Sequence, residues 1–266
     1  MTIATSKPQI NWVNTLFFIG LHIGALFALV PSNFSWKAIG VALFLYWVTG
    51  GLGVTLGYHR LVTHRSFQTP KWLEYILVLF GTLSCQGGPL EWVGIHRIHH
   101  LHSDTESDPH DSNKGFWWSH IGWMIHCSPA HDEIPRFTKD IIDDPVYQFL
   151  QKNFILLQVA LGLVLYYLGG WPMVVWGIFV RIIWVYHCTW LVNSATHKFG
   201  YRTYESGDKS TNCWWVAILV FGEGWHNNHH QFPSSARHGM SREFDITWLF
   251  LLLLCKLGLA EITHKR

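Results

Sequence analysis

Charge is scarce in this chain. Asp, Glu, Lys and Arg make up 14% of its 266 residues, against about 25% in an ordinary soluble domain. The 19 Lys and Arg nearly balance the 17 Asp and Glu, leaving a formal charge of +2. No basic surface for nucleic acid is expected. The five cysteines (Cys85, Cys127, Cys188, Cys213, Cys255) are scattered, with no Cys-x-x-Cys pair. That argues against thiolate zinc, iron–sulfur clusters and a disulfide framework. Repeats and low-complexity tracts are missing as well. What is there instead is apolar, aromatic and imidazole-bearing: 49% hydrophobic residues, 16 Trp and 18 His, with a mean hydropathy of +0.16. A disordered chain is excluded, and a His-rich membrane protein is the class that fits.

Apolar runs at 10–30, 36–57, 154–168 and 173–192 are long enough to read as membrane helices. The first is preceded by a single Lys7 and has no small-residue cleavage site, so it does not read as a removed signal. Pro31-Ser-Asn-Phe-Ser and Gly169-Gly-Trp-Pro172 are short turns, so the runs pair into two hairpins. Weaker stretches at 72–83, 214–221 and 246–259 read as interfacial or buried helices. Eight Lys and Arg lie in 58–152 and eight more in 193–266, while at the short turns only Lys37, two residues past the first, is basic. The positive-inside rule then places both termini, 58–152 and 193–266 in the cytoplasm. The fold expected is an all-α integral membrane protein, one domain over 1–266, with four transmembrane helices and a cytoplasmic helical cap. Arg181 sits inside the fourth run, where it either snorkels or bonds backbone carbonyls, or lines an internal cavity.

The histidines cluster. His59 and His64 follow the second run. His96-Arg-Ile-His99-His100 lies in the middle segment, Asn193-Ser-Ala-Thr-His197 ends the fourth run, and His226-Asn-Asn-His229-His230 lies near the C-terminal end. These nine histidines all fall on the expected cytoplasmic side. In His-x-x-His-His the rings stand at i, i+3 and i+4, on one helix face. His59 and His64 are i and i+5, about 140° apart on a regular helix, so they require either a local irregularity or two different ions. Imidazole binds iron, zinc, copper and nickel alike, and nine nitrogens exceed one coordination shell, which makes two metals the economical reading. His22, His126, His131, His238 and His264 read as ordinary structural residues. His102, His110, His120 and His187 read as structural or supporting. Asp104, Glu106, Asp108 and Glu223 stand near enough in sequence to orient imidazoles or to be plain solvated charges. A haem takes one or two axial histidines and leaves the triplets unexplained.

The strings H-R-L-V-T-H-R-S-F (59–67), E-W-V-G-I-H-R-I-H-H (91–100), D-P-H with G-F-W-W-S-H-I-G-W (108–123), T-W-L-V-N-S-A-T-H (189–197) and G-E-G-W-H-N-N-H-H (222–230) resemble the membrane-bound fatty acid desaturases. The likeness runs from about residue 40 onward and is greatest to Δ9, stearoyl-type enzymes, in particular the short cyanobacterial and plant acyl-lipid members. It implies two iron ions held by His59, His64, His96, His99, His100, His197, His226, His229 and His230, with Asn193 reaching metal through a water. Zinc can replace iron in overproduced protein. It further implies a substrate tunnel bent by Gln86, Trp92 and Thr189, with Trp47 and Gly51 near its blind end.

The implied reaction inserts a cis double bond at carbon 9 of a saturated C16 or C18 acyl chain. Reducing O₂ to two waters takes four electrons. Two come from the acyl C–H bonds and two from a separate donor, ferredoxin or cytochrome b5, since no cytochrome b5-like segment is present. The resemblance also implies a bacterial plasma or thylakoid membrane. Animal acyl-CoA enzymes of the family read E-W-A-R-D-H-R where this chain has Gly94 and Ile95 before His96. The missing Arg removes planar contacts to phosphate, so a lipid-linked acyl chain is expected ahead of acyl-CoA. The alternatives are an acyl-CoA desaturase, a His-rich di-iron hydroxylase and, in another class, a membrane metal carrier or sensor. The last is disfavoured because transporters place ligands at the bilayer midplane.

Overall fold

The structure is a computed structural model and describes residues 9–263. Lys7, Lys265 and Arg266, used above for orientation, and His264 lie outside the described residues. Asn11 opens α1 (Trp12–Leu26) by accepting the Asn14 amide on its side chain. The turn that follows, Pro31–Asn33, is pinned by Asn33 to the Phe27 carbonyl, and Trp176 donates to the Asn33 carbonyl from the far hairpin. Ser35 caps α2 (Trp36–Tyr46), which runs without a break into a π-helix, Trp47–Thr63. The second helix therefore outlasts its apolar run by six residues and carries His59 on its own last turn.

Three stretches among the described residues are long and apolar enough to cross a membrane: Trp12–Leu29, Trp36–Thr63 and Pro145–His197. The third has 53 residues and folds back on itself. Gly170, at φ +71°, takes a left-handed conformation that suits glycine. Beyond the turn the chain returns alongside, so that a Cβ on Gly177 would lie 2.7 Å from Leu165. The arms are α7 (Pro145–Val174), a short π segment (Val175–Val180) and α8 (Arg181–Ser194). Asp144 caps α7 ahead of Pro145, nine residues before the apolar run begins. Leu16, Ile19 and Ile23 of α1 and Leu156, Val159 and Leu163 of α7 all point outward and are exposed. A face so apolar suits hydrocarbon rather than water.

The weaker stretches fold as α3 (Lys71–Thr82), α9 (Trp214–Leu219) and α11 (Ile246–Lys256). The glycine-rich π-helix lets α3 come to backbone contact. A Cβ on Gly53 would meet the Phe80 and Gly81 backbone at 2.3 Å, the small-residue packing common between membrane helices. The remaining helices are α4 (Pro89–His102), α5 (Phe116–His120), α6 (Ala130–Phe137) and α10 (His226–Gln231). Gln151 of α7 accepts the Leu90 and Glu91 amides at the start of α4, satisfying two of its free N–H groups. The all-helical expectation needs one addition. Phe67 and Gln68 pair with Ile262 and Glu261 in a two-stranded ribbon that ties the C-terminal segment to the loop after the π-helix.

Arg181 is buried and bonds inward. Its Nε donates to the Gly177 carbonyl, Nη1 to the Leu83 carbonyl and Nη2 to Gln158, at 2.6–2.9 Å. The backbone-carbonyl reading of this residue holds, and Arg181 does not line the large cavity described below.

A candidate di-metal centre

The π-helix resolves the awkward spacing of His59 and His64. Its i→i+5 bonding, closed here by the His64 amide on the His59 carbonyl at 3.1 Å, stacks residues five apart. The two rings lie 4.7 Å from each other. α4 brings His96, His99 and His100, the last turn after α8 brings His197, and α10 brings His226, His229 and His230. The asparagines inside His226-Asn-Asn-His229-His230 hold the surrounding coil. Asn227 accepts the Thr203 and Tyr204 amides, and Asn228 donates to the His238 carbonyl.

The nine rings sort into two groups. In the first, His59, His64, His96, His100 and His229 converge; in the second, His99, His197, His226 and His230. Within the first, Nε2 atoms approach at 3.1 Å (His59–His229), 2.9 Å (His229–His100), 3.0 Å (His100–His96) and 3.2 Å (His96–His64). In the second, His226–His197 and His99–His230 approach at 3.2 and 3.3 Å. A metal–imidazole bond of about 2.1 Å places neighbouring donors roughly 3.0 Å apart at right angles and roughly 3.4 Å apart at tetrahedral angles. The first group has right-angle spacing with five donors, one more than a tetrahedral ion takes. Burial, and after it the neighbouring imidazoles, holds His64, His96, His100, His226 and His229 well below the ordinary histidine value. Burial pushes His230 down to about 4 against the opposing bond to Asp208. Neutral imidazoles with converging lone pairs are a donor set that fits metal ions.

Carboxylates hold the far nitrogens of four rings. His99 Nδ1 meets Asp108 at 2.9 Å, His197 Nδ1 meets Asp104 at 3.1 Å, and His230 Nδ1 meets Asp208 at 2.6 Å. His59 Nδ1 lies 2.6 Å from Glu223. Each contact keeps the proton on Nδ1 and turns Nε2 inward. Burial raises these carboxyls, but the imidazole partners outweigh it and hold Asp104, Asp108 and Asp208 well below the usual range. At Glu223 the charges of His59 and Arg60 do the same. Arg60 is wholly buried and grips both Glu223 and Asp245 at 3.0–3.1 Å. Of the carboxylates named from sequence, Asp104, Asp108 and Glu223 meet histidines and Glu106 meets none among the described residues. Asp208 went unnoticed, for it lies 22 positions from its ring in a loop without a motif. His238, read as ordinary, is buried with its ring 4.4 Å from His229 and its Nδ1 3.0 Å from Glu223. His110 packs on His99 at 4.1 Å. His22, His187 and His120 form a hydrogen-bonded row ending on Ser194.

A cavity of about 320 Å³ reaches the first group at His96 and is lined by Asn193, Gln86, Trp92 and Thr189. The three bend residues are joined: Trp92 donates to Gln86 at 3.2 Å, and Gln86 donates to Thr189 at 2.8 Å. Trp92 stacks on His96 with centroids 5.0 Å apart. Trp47 and Gly51 line a second cavity of about 10 Å³ with Phe221 and Phe250, so the structure does not bring them to the same space as the bend residues.

The fatty acid desaturase family profile covers residues 34–251. The chain is 79% identical over 262 residues to the sn-1 stearoyl-lipid 9-desaturase of Anabaena variabilis, covering 98% of this chain and 96% of that one. It is 62% identical over 259 residues to the sn-1 stearoyl-lipid 9-desaturase of Synechocystis sp. (96% and 81%). It is 48% identical over 261 residues to the sn-2 palmitoyl-lipid 9-desaturase of Nostoc sp. strain 36 (96% and 91%). With the histidine boxes gathered as above, these likenesses establish that the chain belongs to the fatty acid desaturase family.

Proposed function

We propose that this protein is an O₂-dependent Δ9 desaturase of saturated C16 or C18 acyl chains esterified in membrane glycerolipid. The observation that carries the metal part is the pair of imidazole groups, five and four rings, with Nε2 atoms 2.9–3.3 Å apart. Five donors at right angles suit iron better than tetrahedral zinc. His59, His64, His96, His100 and His229 would hold one ion; His99, His197, His226 and His230 would hold the other, with Asn193 adding a water. Two irons supply the electron sink and oxygen chemistry that no side chain has. The residues of the chain do the rest. Trp92, Gln86 and Thr189 form a hydrogen-bonded wall that bends the acyl chain beside His96, and an apolar cavity keeps water from the reacting methylenes. Trp47 and Gly51 bound the far end once that end opens. Two electrons arrive from a separate donor, ferredoxin or a free cytochrome b5.

The 53-residue helical stretch reads as two spans joined at Gly169–Gly170, which gives four spans in two hairpins within one domain. The cap, 58–152 and 193–266, and both termini lie in the cytoplasm of a bacterial plasma or thylakoid membrane. The test is expression in a host lacking Δ9 activity, with lipid profile and metal content measured together. A new cis-9 double bond in glycerolipid and about two irons per chain are expected. A hydroxy acid in its place would favour the oxygenase alternative, and an unchanged lipid profile with iron bound would sink the proposal.

A further inference from the structure

The large cavity is not closed inside the molecule. From His96 and Asn193 it extends to Val13 of α1 and Ile155 of α7, which are 79% and 43% exposed. Both sit near the first turns of the apolar parts of their helices, on the outward faces that carry Leu16, Ile19, Leu156 and Val159. The opening thus lies between α1 and α7 and faces sideways. Its other rim is polar. Glu91 and His131 approach at 3.4 Å with side chains 37% and 44% exposed. Asn14, whose side-chain amide donates to the Met124 carbonyl at 3.0 Å, also lines the cavity. Among the described residues, no Lys or Arg lines the cavity.

We infer that the acyl chain passes from the bilayer into the cavity sideways, between α1 and α7, while Asn14, Glu91 and His131 hold the ester and glycerol end at the rim by hydrogen bonds. This rests on the lipid-linked substrate proposed above. The geometry matches such a molecule part by part. The apolar half of the rim, Val13 and Ile155, is continuous with the hydrocarbon-facing surface, so a chain can slide in without crossing water. The polar half meets the oxygen-rich end that must remain at the interface. A carboxylate paired with one imidazole, with no guanidinium or ammonium among the described lining residues, accepts hydroxyl protons and offers phosphate little to bind. It therefore suits a carrier held through hydroxyl and ester groups better than one held through phosphates. Glu91 also begins α4, whose next turn carries His96, so the held end lies on the helix that supplies a proposed metal ligand.

The experiment uses full-length enzyme in vesicles of stearoyl glycerolipid, with its reductant. V13W and I155W, singly and together, narrow the opening; V164W places the same ring on an exposed position of α7 away from the cavity. The V13W/I155W pair is expected to lower kcat/KM for the lipid tenfold or more, with the bond still at carbon 9 and metal content unchanged, while V164W stays within twofold of the unaltered enzyme. E91Q is expected to raise KM severalfold with little change in kcat. A second measurement covers poor folding of the tryptophan variants. A stearoyl glycerolipid with a diazirine near the ester is photolysed on the unaltered enzyme, with and without excess unlabelled lipid. Competed labels on residues 13–17, 91, 131 and 154–155 are expected. Full activity in the metal-loaded V13W/I155W pair, or competed labels elsewhere, would overturn lateral access. Failure of the unaltered enzyme to desaturate the lipid at all would instead overturn the proposed function.

Discussion

The two histidine groups share a ligand type and differ in what stands behind it. In the second group, three of four imidazoles rest on aspartates: His99 on Asp108, His197 on Asp104, His230 on Asp208. In the first, one of five rests on a carboxylate, and that one, Glu223, is shared with Arg60 and His238. A carboxylate behind an imidazole makes it a stronger donor and fixes its orientation. The second group therefore offers fewer but stronger donors, with three negative charges close by. The first offers more donors with less charge, since Arg60 offsets Glu223. Equal-looking boxes in sequence thus build unequal halves: with metal bound, the second would favour the higher-charged ion and the first an ion that changes its ligation more readily.

The largest effect that can break this comparison is loss of a ring. His99→Ala and His64→Ala are each expected to abolish unsaturated product while leaving membrane insertion intact. If the halves are separate, each variant keeps about one ion by metal analysis; loss of both ions from either would merge the halves into a single unit. Next come the carboxylates. Asp108→Asn and Asp208→Asn are expected to weaken one ion by about 10–100-fold in chelator titration, and the other ion little. Equal weakening of both ions would erase the asymmetry. The smallest effect is acid sensitivity of the metal-free protein. Unfolded histidine titrates near 6.5, and burial lowers His64, His96, His100 and His229 in the first group and His226 and His230 in the second, His230 to about 4. The unfolded chain then binds more protons than the folded one below about pH 6.5, so this contribution is complete above that pH and is lost as pH falls toward 4. With more lowered rings, the first group opens first. Amide exchange on stepping from pH 7.5 to 5 is expected to rise around 59–64 before 197–208, and the reverse order would count against the difference between the groups.

The boxes themselves were legible because ligand chemistry leaves a local imprint. Three imidazoles at i, i+3 and i+4 need one helical face, and the i+5 spacing of His59 and His64 already required either an irregular helix or two different ions. The supporting shell was only half legible. Asp108 lies nine residues from its ring, His99, whereas Asp104 and Asp208 reach theirs across 93 and 22 positions and Arg60 meets Glu223 across 163, contacts that no spacing records. Glu106 takes the other alternative that sequence left open: near a box in the chain, it is turned by the fold to the surface as a solvated charge. The helices run past the apolar stretches wherever caps rather than hydropathy decide, as at Asp144 and along the π-helix to Thr63. Gln86, Trp92 and Thr189 came from family resemblance, and their hydrogen-bonded row is visible only in three dimensions.

Arg181 carries a consequence for how the molecule assembles. A lone arginine near the middle of a span costs about 2.5–3.5 kcal/mol to insert. Only Gly177 among its partners lies on the same stretch of helix; Leu83 and Gln158 come from elsewhere, with Thr49 at 3.4 Å. Gly177 and Gln158 belong to its own hairpin, so the remaining donors of the guanidinium are satisfied only where the end of α3 and the π-helix pack against that hairpin. One buried cation thereby ties three separate helical segments together, and its full satisfaction requires all of them in place.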